Sequence, residues 1–406
     1  MSNILSRIRK DYGWVQGNIR VLIVSYILAG FASGLYYGFE PDYIQALGAS
    51  ALIIGMMNSV GSFVRALVRI PGAVITDRYG RRNLIIVFTF IGASSLLFYA
   101  FAVDWRIVFI GMLIHAFSRV YMPALSAIEA DSLPEDKRGE GFSIINLAPG
   151  LASGLSPPIA GYIIYRIGLI PGMRINYLVA FLCVLGIAAM RQYWLVETME
   201  LEPAKESLWI ASKTGISELI DVWKGIPSSL WTLLVIRLLK GSLMPFFGIY
   251  ITLYVLDIIG LNAFEWGIVG SIYMVLGIFL GIPLGKLIDR IGNWNGMLLS
   301  FLFSVPFIIL LAGAKGFPFL IGLYIIRAIG QLLWYPALSA AQAEMIPAQK
   351  RGRILGLSEL MSEAITIISS ILIAFLYTLA PVNAFYFAFT VEALSIALIM
   401  FQIKRT

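Results

Sequence analysis

The sequence is short of charged residues, cysteine and histidine. Only 13% of its 406 residues are charged, 59% are apolar, and the mean hydropathy is +0.85. This little polar material cannot cover a water-exposed surface, which excludes a cytosolic enzyme, a nucleic-acid-binding protein and a disordered regulator. A single cysteine, Cys183, excludes a disulfide framework, and a single histidine, His115, excludes a histidine-rich metal site. No metal or cofactor is expected.

Signatures of two further classes are missing. The sequence has no G-x-x-x-x-G-K-[ST] phosphate loop, so ATP-driven pumping is not expected. It shows no nucleophile or acid–base cluster near a membrane face, so it is not expected to be an enzyme. Its apolar runs are continuous for about twenty residues, which favours membrane-spanning helices over the alternating segments of a β-barrel.

Twelve apolar runs are long enough to span a bilayer, and they fall into two groups of six. The runs lie at 20–39, 51–75, 84–102, 107–127, 142–165, 175–195, 230–254, 264–286, 296–314, 317–341, 353–379 and 384–402. We therefore predict an all-α polytopic membrane protein with a six-helix bundle at 1–196, a cytoplasmic linker at 197–229 and a second six-helix bundle at 230–406. Ser50 and Asn262 are the predicted N-caps of two spans.

The basic residues predict the orientation of the chain. If the N-terminus lies inside, the inner segments hold twenty lysines and arginines, whereas the outer segments hold only Arg106, Arg166, Arg174 and Lys315. Positive residues concentrate on the cytoplasmic side, so both termini are predicted to be cytoplasmic in the plasma (inner) membrane. The net charge of +7 is then explained by topology, and no nucleic-acid partner is needed.

The two groups of spans repeat one another. Residues 48–55 align with 260–267 at an offset of 212, and Pro123-Ala-Leu-Ser-Ala127 aligns with Pro336-Ala-Leu-Ser-Ala340 at an offset of 213. Six spans repeated in the same orientation form a parallel repeat, in which the substrate site lies between the halves near the membrane midplane. The repeat therefore predicts two pseudo-symmetric bundles around a central cavity.

A signature loop follows the second span. Residues 73–82, Ala-Val-Ile-Thr-Asp-Arg-Tyr-Gly-Arg-Arg, resemble the G-x-x-x-D-R-x-G-R-R/K signature of the major facilitator superfamily, with Ala73 in place of the first glycine. A second copy at 285–292 keeps the glycine but is followed by Asn293 and Trp294 instead of a basic pair. The resemblance covers the whole chain and implies that family's fold, with solute transport by alternating access.

The resemblance also implies a cytoplasmic latch between the halves. Carboxylates suit the positively polarised helix N-termini, and the arginines can pair with acids that end the fourth and tenth spans. Topology anchoring alone is the alternative. The latch candidates are Asp77, Arg78, Gly80, Arg81, Glu129, Asp131, Arg138, Asp289, Arg290, Gly292, Glu344 and Arg351.

The fifth span carries a weaker motif. Its small residues Ser143, Ala152 and Ser156, with Pro157 and Gly161, resemble the proton-antiporter pattern G-x8-G-x3-G-P-x-x-G-G with most glycines replaced. Close packing against another helix explains the same residues equally well.

Ionisable residues inside the membrane are functional candidates because each costs at least about 2.5–3.5 kcal/mol. Arg65 and Arg119 each lie twelve residues from an acid at the cytoplasmic end, about 18 Å deep at 1.5 Å per residue. The sister half has Gly277 where the first half has Arg65, so the fold does not require a charge there. The predicted substrate-binding residues are Tyr26, Arg65, Arg119, Arg237, Lys240, Arg327 and Trp334.

Three further residues are candidates for proton coupling. Glu363 lies near the midplane, Glu359 lies one turn away, and His115 lies one turn from the predicted cavity residue Arg119. A carboxylate beside a mobile arginine changes its proton affinity as the pair opens and closes. The alternative is purely structural pairing of Arg65 or Arg69 with these two glutamates.

These observations predict a secondary active transporter of a small organic solute, coupled to protons. The deep residues include six basic and three acidic side chains, which favours an anionic or zwitterionic solute. A proton-coupled multidrug efflux antiporter is the first alternative, and a transporter-like receptor or sensor is the second. The expected partners are the solute, protons and the lipid bilayer, and the expected state is a monomer.

Overall fold

A computed structural model describes residues 14–199, 223–224, 226, 228–347 and 351–404. Within these ranges the regular structure is entirely helical. Most of the predicted linker, 197–229, lies outside the described residues. The membrane-spanning helices are α1 (Gly17–Gly34), α2 (Ala51–Tyr79), α3 (Arg81–Ala100), α4 (Trp105–Ser132), α5 (Arg138–Ile167), α6 (Leu169–Trp194), α7 (Leu230–Ile259), α8 (Ala263–Ile291), α9 (Asn293–Leu311), α10 (Phe317–Met345), α11 (Arg351–Leu379) and α12 (Pro381–Ile403).

Length and composition confirm a polytopic membrane protein. Eleven of these helices are long and apolar enough to cross a membrane. The exception is α5, which contains Pro149, Pro157 and Pro158. Its 30 residues still extend about 45 Å at 1.5 Å per residue, enough to cross the hydrocarbon core. The predicted all-α, twelve-helix layout is therefore the architecture of the chain.

The chain departs from regular α-helix at three places, and two of them, in α7 and after α1, supply residues to the cavity described below. The α4 helix narrows to a 3₁₀ turn at Arg119–Tyr121. The α7 helix widens into π-helical stretches at Phe246–Tyr250 and Tyr254–Ile259, the first directly after Pro245, whose ring cannot donate a backbone hydrogen bond. Finally, α1 is followed by a separate short helix, Glu40–Ala46.

The repeat is visible in the backbone. Gly80 joins α2 to α3 with φ 79° and ψ 153°, and Gly292 joins α8 to α9 with φ 87° and ψ 157°. Both positions need glycine, because a side chain is strained at such positive φ. The predicted N-caps are confirmed: the Ser50 hydroxyl accepts a backbone N–H at 3.3 Å, and Asn262 forms a reciprocal capping box with Glu265.

Two helix pairs join the first half of the chain (α1–α6) to the second half (α7–α12). The α2 helix packs along α11, and α5 packs along α8. The second contact is close because it is built on glycines: a methyl group at Gly161 would overlap the carbonyl oxygen of Ala263, and one at Gly267 would overlap that of Pro157. Gly161 of the fifth span thus packs against α8, whereas Ser156 lies against Gly34 of α1.

The bonds between the halves are concentrated towards one end. We call the end with the short helix Glu40–Ala46 the outer end and the end with Gly80 and Gly292 the inner end, after the predicted orientation. At the outer end, Trp266 Nε1 donates to the Gly38 carbonyl at 2.8 Å. Deeper along α2 and α11, Asn58 Nδ2 donates to Ser370 Oγ at 2.8 Å.

The innermost such bond is the ion pair between Arg69 and Glu359. These bonds between the halves thus extend from the outer end as far as the Arg69–Glu359 pair.

Candidate functional site

A cavity of about 280 Å³ lies between the two halves. The first half contributes the segment after α1, with α2 and α4, and the second half contributes α7 and α11. The lining side chains that carry charge or polar groups are Tyr37, Glu40, Asn58, Arg65, Glu359, Ser362, Glu363 and Thr366. The remainder are glycines and apolar residues, which matches the usual composition of a small-molecule site.

One ion pair crosses the cavity wall from half to half. Arg65 on α2 donates from Nε and Nη2 to the two carboxylate oxygens of Glu363 on α11, each at 3.3 Å. Arg65 also donates to the Ser62 hydroxyl at 2.6 Å, which fixes the guanidinium within its own helix. Both charged groups are only partly exposed, at 33% for Arg65 and 22% for Glu363.

Glu359 lies one turn closer to the inner end and has two basic partners. Arg237 on α7 donates to one of its oxygens, and Arg69 on α2 lies 3.8 Å from the other. Arg237 and Glu359 both belong to the second half, so this contact does not depend on the arrangement of the two halves relative to each other. The pairing that sequence analysis left as an alternative is thus present, and it lies on the wall of the cavity.

Glu40 is the lining carboxylate that sequence analysis did not place in the site. It is the first residue of the short helix after α1, and its Oε2 accepts a hydrogen bond from the Tyr177 hydroxyl at 3.1 Å. Among the described residues, no basic side chain lies within 4.0 Å of it. The available signal was an acid flanked by Tyr36, Tyr37 and Phe39, which is unusual at the end of a span.

Of the predicted substrate-binding residues, only Arg65 lines this cavity. The Tyr26 hydroxyl donates to Glu129, and Trp334 packs edge-on against Phe301 at 5.3 Å. Arg119 starts the 3₁₀ turn of α4, where its Nη1 contacts the Met122 sulfur at 3.6 Å. These three side chains contact neighbours within their own half and do not line this cavity, so their part in solute binding stays a prediction.

Arg237, Lys240 and Arg327 do not line this cavity either, and their part in solute binding also stays a prediction. Arg237 reaches Glu359 but does not itself line the cavity. Lys240 Nζ lies 2.7 Å from the fully buried Glu392 of α12, so the lysine charge is paired within the second half. The Arg327 guanidinium lies over aromatic rings, 4.5 Å from the centroid of Phe247, and has no carboxylate partner among the described residues.

His115 also lies outside the cavity lining. Its Nδ1 is 3.4 Å from the Ser95 hydroxyl, a contact between α4 and α3. Of the three predicted proton-coupling residues, the structure therefore brings Glu363 and Glu359 to the cavity.

Those predicted latch residues that have a side-chain partner among the described residues find it within their own half. Arg81 pairs with Asp131 in the first half, and Asn293 Nδ2 donates to Glu344 at 3.1 Å in the second. Asp289 and Arg290 are exposed and form no hydrogen bond or ion pair within the described ranges. The side chains of Asp77, Arg78, Arg138 and Arg351 lie outside the described residues. None of these contacts joins the halves, and the latch stays a prediction for a state closed at the inner end.

The sequence is similar to those of known membrane transporters. A family model for the Major Facilitator Superfamily matches residues 22–314 and 259–406. An uncharacterized MFS-type transporter of Methanocaldococcus jannaschii is 24% identical over 349 residues, covering 85% of this chain and 87% of the relative. The multidrug resistance protein MdtG of Enterobacter lignolyticus is 26% identical over 304 residues, covering 72% and 69%.

The fold is shared with solved transporters. The crystal structure of a POT family transporter in complex with 5-aminolevulinic acid is similar with a TM-score of 0.76, at 15% identity, over 94% of each chain. That likeness concerns the fold, whereas the family match covers almost the whole sequence. The chain therefore belongs to the major facilitator superfamily of membrane transporters.

Proposed function

We propose that the chain couples the movement of a small organic solute to protons, with Glu363 as the group that binds the proton. The observation that carries this proposal is the Arg65–Glu363 pair. Each partner belongs to a different half, and both line the cavity. The pair can persist only while α2 and α11 stay close.

Separation of the halves would change the charge balance around Glu363. A carboxylate that loses its guanidinium partner in a poorly hydrated site is costly as an anion, and taking up a proton removes that cost. When the halves approach again, Arg65 favours the ionised form, and the proton leaves. This alternation links proton binding to the rocking motion.

Glu359 and His115 are less suited to this role. The Arg237 contact stays with Glu359 whether or not the halves separate, so Glu359 keeps a cation throughout. His115 contacts Ser95 inside the first half and does not line the cavity. Both can affect transport through packing without binding the transported proton.

Two classes of solute are candidates for this site. The excess of deep basic residues favours an anionic or zwitterionic solute. Multidrug efflux is the second candidate, because relatives at 26% identity are named multidrug resistance protein MdtG and because α5 carries the degraded antiporter motif. A receptor or sensor role has no comparable support.

The remaining parts of the proposal concern placement. We propose that both termini face the cytoplasm in the plasma membrane, that residues 1–196 and 230–406 form the two rocking bundles around the 197–229 linker, and that one chain is the working unit. The distribution of basic residues and the internal repeat support these points.

Uptake into proteoliposomes with an imposed pH gradient tests the coupling. Purified wild type, Glu363→Gln and the matched control Glu359→Gln are compared for gradient-driven uptake and for solute exchange without a gradient. We expect Glu363→Gln to lose gradient-driven accumulation and keep exchange, whereas Glu359→Gln keeps gradient-driven accumulation in proportion to whatever exchange it retains. Accumulation that survives in Glu363→Gln contradicts the proposal. Screening anions, zwitterions and cationic dyes separates the two solute candidates.

A further inference from the structure

We propose that the cavity binds an organic ammonium group, with the Glu40 carboxylate as its counter-ion. This inference rests on the proposed function only in taking the cavity as the solute site. It names a chemical group that the solute carries and a residue that recognises it. It does not depend on which residue binds the transported proton.

The first step is the charge balance of the cavity wall. The lining includes three carboxylates, Glu40, Glu359 and Glu363, but a single guanidinium, that of Arg65. Arg65 forms an ion pair with Glu363. Glu359 forms an ion pair with Arg237, which does not line the cavity. Among the described residues, Glu40 is therefore the lining carboxylate that has no basic side chain within 4.0 Å.

The basic residues that have no carboxylate partner do not compensate Glu40. Arg119 and Arg327 form no ion pair within the described part of the chain, but neither lines the cavity. Arg119 contacts Met122, and Arg327 lies over Phe247 in the second half. An unpaired carboxylate in a poorly hydrated site is costly, and a cationic ligand removes that cost.

The second step is the geometry at Glu40 itself. The Tyr177 hydroxyl occupies only Oε2, and Oε1 has no hydrogen-bond donor among the described residues. Tyr177 is held in place by stacking on Tyr36 at 5.0 Å and by Tyr99 at 4.9 Å. The Tyr177 hydroxyl thus orients the carboxylate through Oε2. The other oxygen, Oε1, can accept a hydrogen bond from an N–H donor or contact a quaternary ammonium.

The lining near Glu40 suits the body of such a ligand. Tyr37 lines the cavity and presents an aromatic ring to a cation, and Met112, Met244 and Ile249 add apolar surface. A volume of about 280 Å³ is close to the small end of ligand pockets, so the ligand is small. Of the two solute classes predicted from sequence, a zwitterion meets these conditions and a simple anion does not.

Equilibrium binding to purified protein in lipid nanodiscs tests the inference. The probes are two pairs that differ by the ammonium group: choline with 3,3-dimethylbutan-1-ol, and 4-aminobutyrate with butyrate. Each is titrated at millimolar concentrations into wild type, Glu40→Gln and the control Asp42→Asn, whose carboxylate lies two residues away and does not line the cavity. The choline pair tests a cation, and the aminobutyrate pair tests a zwitterion.

We expect the ammonium member of at least one pair to bind roughly tenfold more tightly than its partner in wild type and in Asp42→Asn, since a charge-assisted contact is lost with the ammonium. Glu40→Gln should remove that difference. Equal binding within both pairs overturns the inference, as does discrimination that survives in Glu40→Gln or a complete lack of binding by both ammonium probes.

A measurement on wild type alone guards against misfolding of the variant. Carbodiimide modification of Glu40, followed by peptide mass spectrometry, should be slowed by choline and not by 3,3-dimethylbutan-1-ol, since neither probe carries a carboxylate or an amine that would consume the reagent. Modification that is equally fast with both members contradicts the inference. Neither measurement uses a proton gradient, so a failure here leaves the coupling role of Glu363 standing, and loss of that role leaves ammonium binding standing.

Discussion

The guanidinium of Arg65 and the carboxylate of Glu363 meet at 3.3 Å although 298 residues separate them in the chain. They come from different halves and meet on the wall of a cavity. A second contact, between Asn58 and Ser370, lies further towards the outer end on the same two helices. The interface of α2 and α11 thus contains a contact that holds the halves together near the outer end. It also contains the ion pair that is proposed to break when the halves separate.

A double-mutant cycle should show that Arg65 and Glu363 act as a unit. Arg65→Gln leaves Glu363 without its cation and should lower stability more than the double change with Glu363→Gln. We expect a coupling free energy of about 0.5–3 kcal/mol, the range for residues in contact. Thermal unfolding of the four proteins in one detergent gives this energy. Additive effects of the two single changes would show that the pair contributes nothing to the folded state.

Closure of the outer end can be trapped covalently. Cysteines at Asn58 and Ser370, in a Cys183→Ser background, replace side chains that now touch at 2.8 Å. We expect oxidation to join α2 to α11 and to block solute exchange, and reduction to restore it. Exchange is measured in proteoliposomes before and after reduction. Either single cysteine variant is the control, and exchange that continues in the cross-linked protein would contradict the proposed separation of these helices.

The buried pair of Lys240 and Glu392 should prove structural. Glu392 is fully buried, and its partner lies 2.7 Å away inside the second half. Breaking such a pair from one side costs about 3–5 kcal/mol, because an uncompensated buried charge remains. Glu392→Gln should therefore lower the unfolding temperature strongly, and adding Lys240→Met should recover most of the loss.

A role of Lys240 in binding the solute would give a different result. If Lys240 bound the solute, as its position in the seventh span suggested, Lys240→Met would weaken solute uptake by correctly folded protein. The expected outcome is unchanged uptake by the folded double variant. Uptake is normalised to the protein that remains monodisperse after reconstitution.

Much of the architecture could be predicted from sequence because the membrane imposes it. Apolar runs, the capping residues Ser50 and Asn262 and the aligned glycines Gly80 and Gly292 all depend on local physics that a single sequence contains. The ion pair of Arg65 with Glu363 was also within reach as an alternative, since both residues were predicted at similar depth.

The neighbours of the other charges could not be predicted, for a physical reason. Arg237 and Lys240 are three residues apart on α7, yet one meets α11 and the other meets α12. A helix that is apolar on every side carries no pattern that fixes its rotation. Glu40 was missed because α1 ends at Gly34 and a separate short helix carries this acid to the cavity.

Ammonium binding should depend on pH through Glu40, which lies in the short helix outside the membrane-spanning segments. Burial raises the pKa of the Glu40 carboxyl to about 7, while the hydrogen bond from Tyr177 opposes that rise. The carboxyl is thus ionised above this pH and neutral below it. Choline affinity should be high at pH 8 and fall by up to about tenfold by pH 6, which is the whole preference attributed to the charged Glu40 carboxylate. Choline has a fixed charge, so it does not titrate itself.

Tyr36, which lies between α1 and the short helix, does not reproduce this profile, because burial raises the pKa of its hydroxyl and keeps it neutral over this range. The Glu40→Gln variant separates Glu40 from the two other lining carboxylates, Glu359 and Glu363. Calorimetric titration of choline from pH 6 to pH 8 into wild type and Glu40→Gln checks the expectation. An affinity that stays constant in wild type, or a pH dependence that remains in Glu40→Gln, would assign the ammonium contact to another group.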